Sequence, residues 1–285
     1  MKTFITSLCI VVSLATIHIK TLQKADRSLR VAVEDGIHKP IIYTFYGKID
    51  TNIKHTGMTD EADERLLEVW KAKWTEAGWD ARILDLDDAR KHPRFSEFDQ
   101  KLQKIPIHGV NVYYNQLCYY RWLAMAAIGG GWMSDYDVLP MNINNHNDYY
   151  QDGKFTIYSS IPGLAGGIPC LMSGSQSEWE RMSFSILENG LDSSHLDQRL
   201  WSDMFAAIDL FTKDNQVYRL YDLVEEAENI EWDAQSCQRF EKTLAAHFCH
   251  SAMHKVNLKD INMRADFAKN WVEKWEAGCD IASFV

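Results

Sequence analysis

The sequence predicts an α/β protein whose mixed sheet is flanked by helices and lies in a single domain. Hydrophobic residues make up 46% of the 285 residues and aromatic residues 12%, which is enough to bury a substantial core. A β-branched and aromatic run at 41–46 is followed by apolar residues at helical spacing over 60–77, and then by a second strand-like run at 79–84. Gly47 and Gly78 close the first strand and the helix. This alternation is typical of a β-α-β unit.

The rest of the domain follows from the same patterns. Apolar runs predict a helix over 110–128, and β-rich runs predict strands at 155–159, 168–172 and 217–221. Two further helices are expected, one after the Ser-Gly-Ser at 173–175 and one over 194–210. The chain ends in a helix over 263–277, where Phe267, Trp271 and Trp275 recur at i, i+4 and i+8. We interpret this last helix as a structural cap on the body.

Residues 1–19 have the character of a secretory leader. Lys2 precedes an uncharged apolar run that extends to Ile19, and basic residues follow it. The run is shorter than the roughly 20 residues that a membrane-spanning helix needs, so a signal peptide and a short signal anchor both stay open. We expect a stem or linker over 20–39 and the folded domain over 40–285. Entry into the secretory pathway is therefore predicted, with membrane attachment through the N-terminal segment only.

Composition limits the classes of partner. The formal net charge of −10 argues against nucleic acid, because binding nucleic acid requires basic patches that neutralise phosphates. The six cysteines show no zinc-ligand spacing. Five remain beyond the leader, and they leave room for a disulfide or two in an oxidising compartment without showing which pair.

The stretch 121–140, RWLAMAAIGGGWMSDYDVLP, combines a helix, a glycine turn and a pair of acids. Three consecutive glycines stop the apolar helix, because glycine tolerates the positive φ of a helix C-cap. A short strand then leads to Asp135 and Asp137. Acids two residues apart at a strand end point to one side, and two carboxylates so close need a cation beside them. Hard divalent ions prefer such oxygen ligands and often share them with phosphates, so the stretch predicts a metal–diphosphate site.

The segment GGWMSDYDV resembles the Gly-Gly-x-aromatic-x-Asp-x-Asp signature of nucleotide-sugar glycosyltransferases with the GT-A fold. It is most similar to the DXD sugar-binding-region family, which includes fungal-type α-mannosyltransferases and clostridial toxin glucosyltransferase domains. The resemblance implies a GT-A-like, Rossmann-like fold. It also implies that Asp135 contacts the ribose and the metal, that Asp137 ligates the metal, and that Arg121 touches the donor sugar. A Golgi lumenal location and retention of anomeric configuration are expected on the same basis.

The resemblance also assigns roles near the C-terminus. Several families of this fold place a histidine before an aromatic residue to complete the metal shell. His247 fits that pattern best because Phe248 follows it, and His250 is the second candidate. Lys255 would then meet the diphosphate. Zinc is a competing interpretation of the histidines, but the spacing suggests no fourth ligand.

Two more pairs of residues are candidates for donor contacts. Tyr43 and Phe45 lie on the first strand, whose end meets the nucleotide base in this fold, although a core strand would have the same composition. Asp197 and Gln198 resemble an Asp-Gln pair beside the donor sugar in retaining enzymes. Asp197 is explained equally well as a helix-capping carboxylate.

These assignments predict a transferase that depends on Mn²⁺ or Mg²⁺. Its donor would be a nucleotide-diphosphate sugar, and it would move a hexose or N-acetylhexosamine to a hydroxyl of a glycan, glycoprotein or glycolipid. One alternative is a phosphatase of the haloacid dehalogenase type, in which the first acid of Asp-x-Asp is a nucleophile. Another is a lumenal sugar-nucleotide or glycan-binding protein that has lost turnover, an alternative favoured by Cys118, which stands where the family favours an acid.

Overall fold

The computed structural model describes residues 39–50, 56–107, 112–143, 152–161, 163, 165–192 and 201–279. The predicted leader at 1–19 and nearly all of the stem at 20–39 lie outside these residues. From Pro40 onward the described residues belong to one compact unit. Within the described part of the chain, none of the helices combines the length and the apolar character needed to span a bilayer.

Nine strands are described, and they form two sheets. In chain order they are β1 Ile41–Phe45, β2 Asp80–Leu84, β3 Gly130–Ser134, β4 Val138–Pro140, β5 Thr156–Ile157, β6 Leu171–Ser175, β7 Arg219–Leu220, β8 Val224–Glu226 and β9 Ala245–His247. The larger sheet has the order β2-β1-β3-β6-β5-β7, and the smaller one has the order β4-β9-β8. Strand β1 pairs in parallel with β2 and β3, whereas β6 is antiparallel to both β3 and β5. The predicted mixed sheet is confirmed.

The helices flank these sheets, and most of them follow the sequence patterns. The helix expected over 194–210 differs: residues 194–200 lie outside the described part of the chain, and the observed helix begins at Asp203, where Ser202 accepts a hydrogen bond from the amide of Phe205, and ends at Lys213. The described α-helices are α1 Asp60–Glu76, α2 Leu86–Arg90, α3 Phe95–Leu102, α4 Val112–Ala127, α5 Gln176–Gly190, α6 Asp203–Lys213, α7 Ala234–Arg239, α8 His250–Lys255 and α9 Arg264–Gly278. Helix α1 begins where Thr59 accepts a hydrogen bond from the amide of Ala62, and helix α5 begins where Ser175 accepts one from the amide of Glu178.

Three predicted strands differ from those observed. The run at 217–221 contributes only Arg219–Leu220 to the sheet. The run at 155–159 contributes only Thr156–Ile157 to the sheet, and the strand expected at 168–172 begins at Leu171. Residues 168–170 form a tight turn instead, in which the amide of Cys170 donates to the carbonyl of Ile168 at 2.8 Å. The intervening Pro169 has no N–H to offer a sheet, which explains the later start.

Two apolar cores lie on opposite faces of the sheet. Along the central strands β1 and β3, alternate side chains point into one core and then the other. Ile42 and Trp132 belong to the core that contains α1 and α9, whereas Tyr43 and Met133 belong to the core that contains α4 and α5. Successive side chains on a strand point to opposite faces. The side chain of Tyr43 therefore lies in the core that contains α4 and α5.

A disulfide fastens the end of the C-terminal helix. Cys237 on α7 is bonded to Cys279, directly after α9, with Cα atoms 5.4 Å apart. Cys118, Cys170 and Cys249 are free thiols. The sequence left room for a disulfide beyond the leader, and the one observed links residues 42 positions apart.

Candidate functional site

A glycine turn delivers the two acids to the end of β3. Helix α4 ends at Ala127, and Gly129, Gly130 and Gly131 all have positive φ, at 105°, 80° and 111°. A Cβ on Gly130 would lie 2.5 Å from the backbone nitrogen of Gln176, so only glycine allows β3 to approach β6 this closely. The predicted helix, glycine stop and strand are confirmed.

The acids stand in the turn between β3 and β4. Asp135 follows β3 directly, and its amide donates to the carbonyl of Cys170 at 2.8 Å. Asp137 precedes β4, whose antiparallel pairing with β9 sets Val138 opposite His247. The register therefore brings His247 beside the acids. One ligand atom each from Asp135, Asp137 and His247 lies within 4.8 Å of the other two.

Asp137 is held by two cationic or basic groups. Arg264 donates from Nη2 to Asp137 Oδ2, and His247 Nε2 lies 3.4 Å from Asp137 Oδ1, within ion-pair range but without hydrogen-bond geometry. Burial alone would raise the pKa of Asp137, but the charges of Arg264 and His247 outweigh it and lower that pKa. Burial likewise opposes protonation of His247, yet interactions with Cys170 and Asp137 raise its pKa.

Asp135 has a different environment. Arg121 donates from Nη1 to Asp135 Oδ1, and the same guanidinium binds the buried carboxylate of Asp203. Burial raises the pKa of Asp135 to about 6; the charge of Arg121 opposes this rise and the neighbouring Asp137 adds to it. The two acids thus have pKa values that are moved in opposite directions.

The residues fit a divalent metal ion. Asp137 Oδ1 is buried and has no hydrogen-bond partner among the described residues. Buried polar atoms are nearly always satisfied, so such an open atom is explained by a ligand that the protein takes up. Two carboxylates and an imidazole are donors that suit Mn²⁺, and carboxylates suit Mg²⁺. Asp135, Asp137 and His247 would hold the ion.

His250 has other partners. Its Nε2 lies 3.1 Å from the carbonyl oxygen of Thr56, and its Nδ1 lies 3.4 Å from Arg264 Nη1. Burial and the charge of Arg264 lower the pKa of His250, which favours the neutral ring. In that form Nε2–H donates to Thr56, and Nδ1 accepts from Arg264. The structure brings His247 into the carboxylate group and leaves His250 at its edge.

A cavity of about 330 Å³ opens beside the acids. Aromatic rings form much of its wall, with Tyr46 and Tyr136 packed edge to face at 5.8 Å between centroids. The other lining residues comprise apolar, acidic and basic groups, among them Phe45, Asp63, Tyr114, Cys118, Arg121, Asp135, Asp137, His250 and Arg264. A cavity with apolar rings at one part of the wall and charged groups at another can hold a ligand that is partly aromatic and partly anionic.

The other predicted contacts fall in three places. Phe45 and Arg121 line the cavity. Tyr43 packs in the second core and is not among the lining residues, and Lys255 forms an ion pair with Glu226 at the surface, away from the cavity. The structure therefore does not bring Tyr43 or Lys255 to the site. Asp197 and Gln198 lie outside the described residues.

Sequence patterns missed two side chains of the site. Asp203, at the start of α6, binds Arg121, and Arg264, at the start of α9, binds Asp137. The interpretation of the last helix as only a structural cap is wrong, since its first residue enters the cavity wall. One signal was available: an arginine at a helix N-terminus opposes the helix dipole and needs a special partner.

Together, the fold and the site define an α/β protein with a candidate carboxylate–imidazole metal centre at the end of a central strand. The chain belongs to the family described as Domain of unknown function (DUF8765), whose model matches residues 23–273. No curated protein matches the chain significantly.

Two solved structures are similar to this chain at low identity. One is a glycosyltransferase involved in the glycosylation of the major capsid of PBCV-1, with 10% identity and a TM-score of 0.43 over 81% of this chain and 100% of that chain. The other is mouse xyloside xylosyltransferase 1 in its apo form, with 11% identity and a TM-score of 0.42 over 73% of this chain and 97% of that chain. Likeness at this level does not by itself establish a shared activity.

Proposed function

We propose that the protein is a metal-dependent glycosyltransferase that moves a sugar from a nucleotide-diphosphate sugar to a hydroxyl acceptor. The observation that carries the proposal is the cluster of Asp135, Asp137 and His247 on the border of an aromatic-lined cavity. The resemblance of GGWMSDYDV to the DXD signature supports the same chemistry. The protein as a whole carries a formal charge of −10, so a diphosphate needs local cations to bind here.

Several residues at the site have a part in this proposed chemistry. When bound, Mn²⁺ or Mg²⁺ would neutralise charge that grows on the leaving diphosphate. Asp135, Asp137 and His247 would hold the ion, and Arg121, which pairs with Asp135, would keep that carboxylate in place. Phe45 and Tyr46 line the cavity, and their rings would stack on the nucleotide base. The donor would be a hexosyl or N-acetylhexosaminyl nucleotide, the acceptor a glycan, glycoprotein or glycolipid, and the transfer retaining.

A location in the secretory pathway, in the Golgi lumen, belongs to the same proposal. The disulfide between Cys237 and Cys279 supports it, because disulfides form and persist in oxidising compartments. Attachment to the membrane, or release after cleavage, would depend on residues 1–19.

The test is a thermal-shift experiment with the full chain and UDP, GDP or CMP, each with and without Mn²⁺. A ligand that binds only the folded state raises the melting temperature by mass action. We expect a shift with one nucleotide that requires Mn²⁺ and disappears in Asp137→Asn. Asp87→Asn, which removes an exposed carboxylate of α2, is the matched control and should behave as wild type.

Turnover then separates the transferase from its rivals. A wild-type chain that releases nucleoside diphosphate from the matching sugar nucleotide, in step with glycosylated product, supports the proposal. Binding without product would favour a sugar-nucleotide-binding protein. Hydrolysis of a phosphomonoester that is lost in Asp135→Asn would favour the phosphatase, and no shift with any nucleotide would sink the proposal.

A further inference from the structure

Arg264 is a buried arginine in the wall of the candidate cavity. Its side chain is 3% exposed, and its Nε donates to the carbonyl oxygen of Phe248 at 2.5 Å. Its Nη2 donates to Asp137 Oδ2. A cation at the first residue of a helix is disfavoured by the helix dipole, and burial adds a desolvation cost. Arg264 is held in this position by a backbone carbonyl and by a carboxylate of the metal group.

The remaining donors of Arg264 have weak partners. A guanidinium carries five N–H groups in a planar fork, and the bonds to Phe248 and Asp137 use two of them. Its Nη1 lies 3.4 Å from His250 Nδ1 and 3.6 Å from Met58 Sδ. The contact with His250 is long for a charged donor, and the thioether of Met58 is a poor acceptor. An anionic oxygen that enters the cavity would be a much stronger partner for these N–H groups.

The two arginines of the cavity differ in how their charge is balanced. Arg121 is paired with two carboxylates, those of Asp135 and Asp203. Arg264 is paired with Asp137 and otherwise bonds a neutral carbonyl oxygen. A divalent ion bound to Asp137 would compete with Arg264 for the negative charge of this carboxylate. Arg264 would then present positive charge to the cavity, while Arg121 would remain neutralised by Asp203.

We propose that Arg264 binds the diphosphate of the donor, and that it turns from Asp137 toward a phosphate oxygen when the metal site fills. This role rests on the function proposed above and names the cation that meets the leaving group. Lys255 is not available for this role, because it lies outside the cavity and pairs with Glu226. Arginine suits the role because its planar fork matches two oxygens of a phosphate.

The test measures binding, with inorganic pyrophosphate as the probe because it carries the diphosphate without a base. Calorimetric titrations are made on the full chain in saturating Mn²⁺, with wild type, Arg264→Lys and Arg264→Gln. We expect pyrophosphate affinity to fall roughly 10- to 100-fold in Arg264→Gln and less in Arg264→Lys, in line with the loss of a hydrogen bond to a charged group. The thermal-shift experiment identifies the base that the wild type prefers. The affinity of each variant for the nucleoside of that base should stay within about twofold of the wild-type value, since a nucleoside has no phosphate for Arg264 to contact.

The control is Arg65→Gln, which removes a surface arginine of α1 whose Nη2 lies 3.6 Å from Oδ1 of Asp266 on α9, the helix of Arg264. It should leave pyrophosphate affinity unchanged. Titration with Mn²⁺ alone distinguishes phosphate binding from a purely positioning role. If Arg264 only orients Asp137, its replacement should lower the affinity for Mn²⁺ and leave the affinity for pyrophosphate unchanged at saturating Mn²⁺. That outcome, or equal pyrophosphate affinity in wild type and both variants, would overturn the proposal. If Arg264→Gln does not fold, Arg264→Lys decides the matter alone. If wild type binds neither pyrophosphate nor any nucleotide, the proposed function fails as well.

Discussion

Arg121 and Asp203 form a two-point ion pair inside the protein. Arg121 donates to the same oxygen, Asp203 Oδ2, from Nε at 3.1 Å and from Nη2 at 2.6 Å. Trp122 Nε1 donates to this oxygen at 2.9 Å. These bonds fix the guanidinium so that its third nitrogen reaches Asp135. Asp203 does not line the cavity, and we predict that it acts on the candidate metal group through Arg121 as a positioning residue.

Asp203→Asn should weaken both stability and metal binding. Removing one charge of a buried pair costs about 3–5 kcal/mol, because the partner is left uncompensated. Arg121 would then depend on Asp135 for its counter-charge, and Mn²⁺ would compete less well for that acid. We expect Mn²⁺ affinity to fall about 10-fold, within the range for residues that support a metal ligand. Urea denaturation and Mn²⁺ titration measure the two effects.

Asp209→Asn is the control for this variant. Asp209 lies on the same helix and pairs with Lys213 across one turn at 2.7 Å, where a surface pair contributes about 0.3–0.5 kcal/mol. It should leave Mn²⁺ affinity unchanged. If Asp203→Asn loses stability but keeps its full Mn²⁺ affinity, the pair is structural and has no positioning role.

Gly130→Ala should destabilise the fold far more than Gly129→Ala. Both positions have positive φ, which costs a residue with a Cβ about 1–2 kcal/mol. At Gly130 the new Cβ would also lie 2.5–2.8 Å from backbone atoms of residues 174–176, whereas at Gly129 it meets nothing within 4 Å. The backbone of β6 can move aside less easily than a flexible side chain can. We therefore expect Gly130→Ala to lower the free energy of unfolding by at least about 3 kcal/mol. Chemical denaturation of the two variants gives the comparison, and equal losses would show that β3 and β6 can separate without cost.

The part of the site that lies within one stretch of sequence was predictable. The helix, the glycine stop, the strand and the two acids all follow from residues 112–137, because local propensity and turn chemistry decide each of them. The β1-α1-β2 unit was predictable for the same reason, since its hydrophobic repeats are local. The limits of the strands were less predictable. Only two residues of the run at 155–159 pair with the sheet.

The partners of the acids were not predictable from local pattern. Asp137 and Arg264 are 127 residues apart, and Arg121 and Asp203 are 82 apart. No spacing rule links such residues, because tertiary packing of α6 and α9 brings them together. The choice between His247 and His250 also needed the fold, since it depends on the register of β4 with β9. A cation at the start of α9 was the one local clue to Arg264.

Loss of the disulfide should lower stability without changing the metal group. In the loop-entropy model, closing a loop of 42 residues contributes about 4 kcal/mol. The bond lies beyond the C-terminal end of α9, and Arg264 lies at the other end of this helix. We expect a lower melting temperature for Cys237→Ser/Cys279→Ser, and for wild type in reductant, with Mn²⁺ affinity retained.

The control for the disulfide is Cys249→Ser, which replaces a free thiol and should respond to reductant as wild type does. A double variant as stable as wild type would show that α7 and α9 are held by their apolar contacts alone. Trp232 and Phe240, which pack on Trp271, would then account for that anchoring.

His247→Gln and His250→Gln should separate in their effect on Mn²⁺ alone. His247 offers a ring nitrogen to the carboxylate group, whereas His250 bonds Thr56 and faces Arg264. Loss of a ligand should reduce Mn²⁺ affinity by at least about 10-fold, and loss of His250 should change it by less than roughly threefold. Electron paramagnetic resonance of free Mn²⁺ gives both affinities on folded protein, verified by circular dichroism. The reverse order of effects would transfer the metal role to His250, which also lines the cavity.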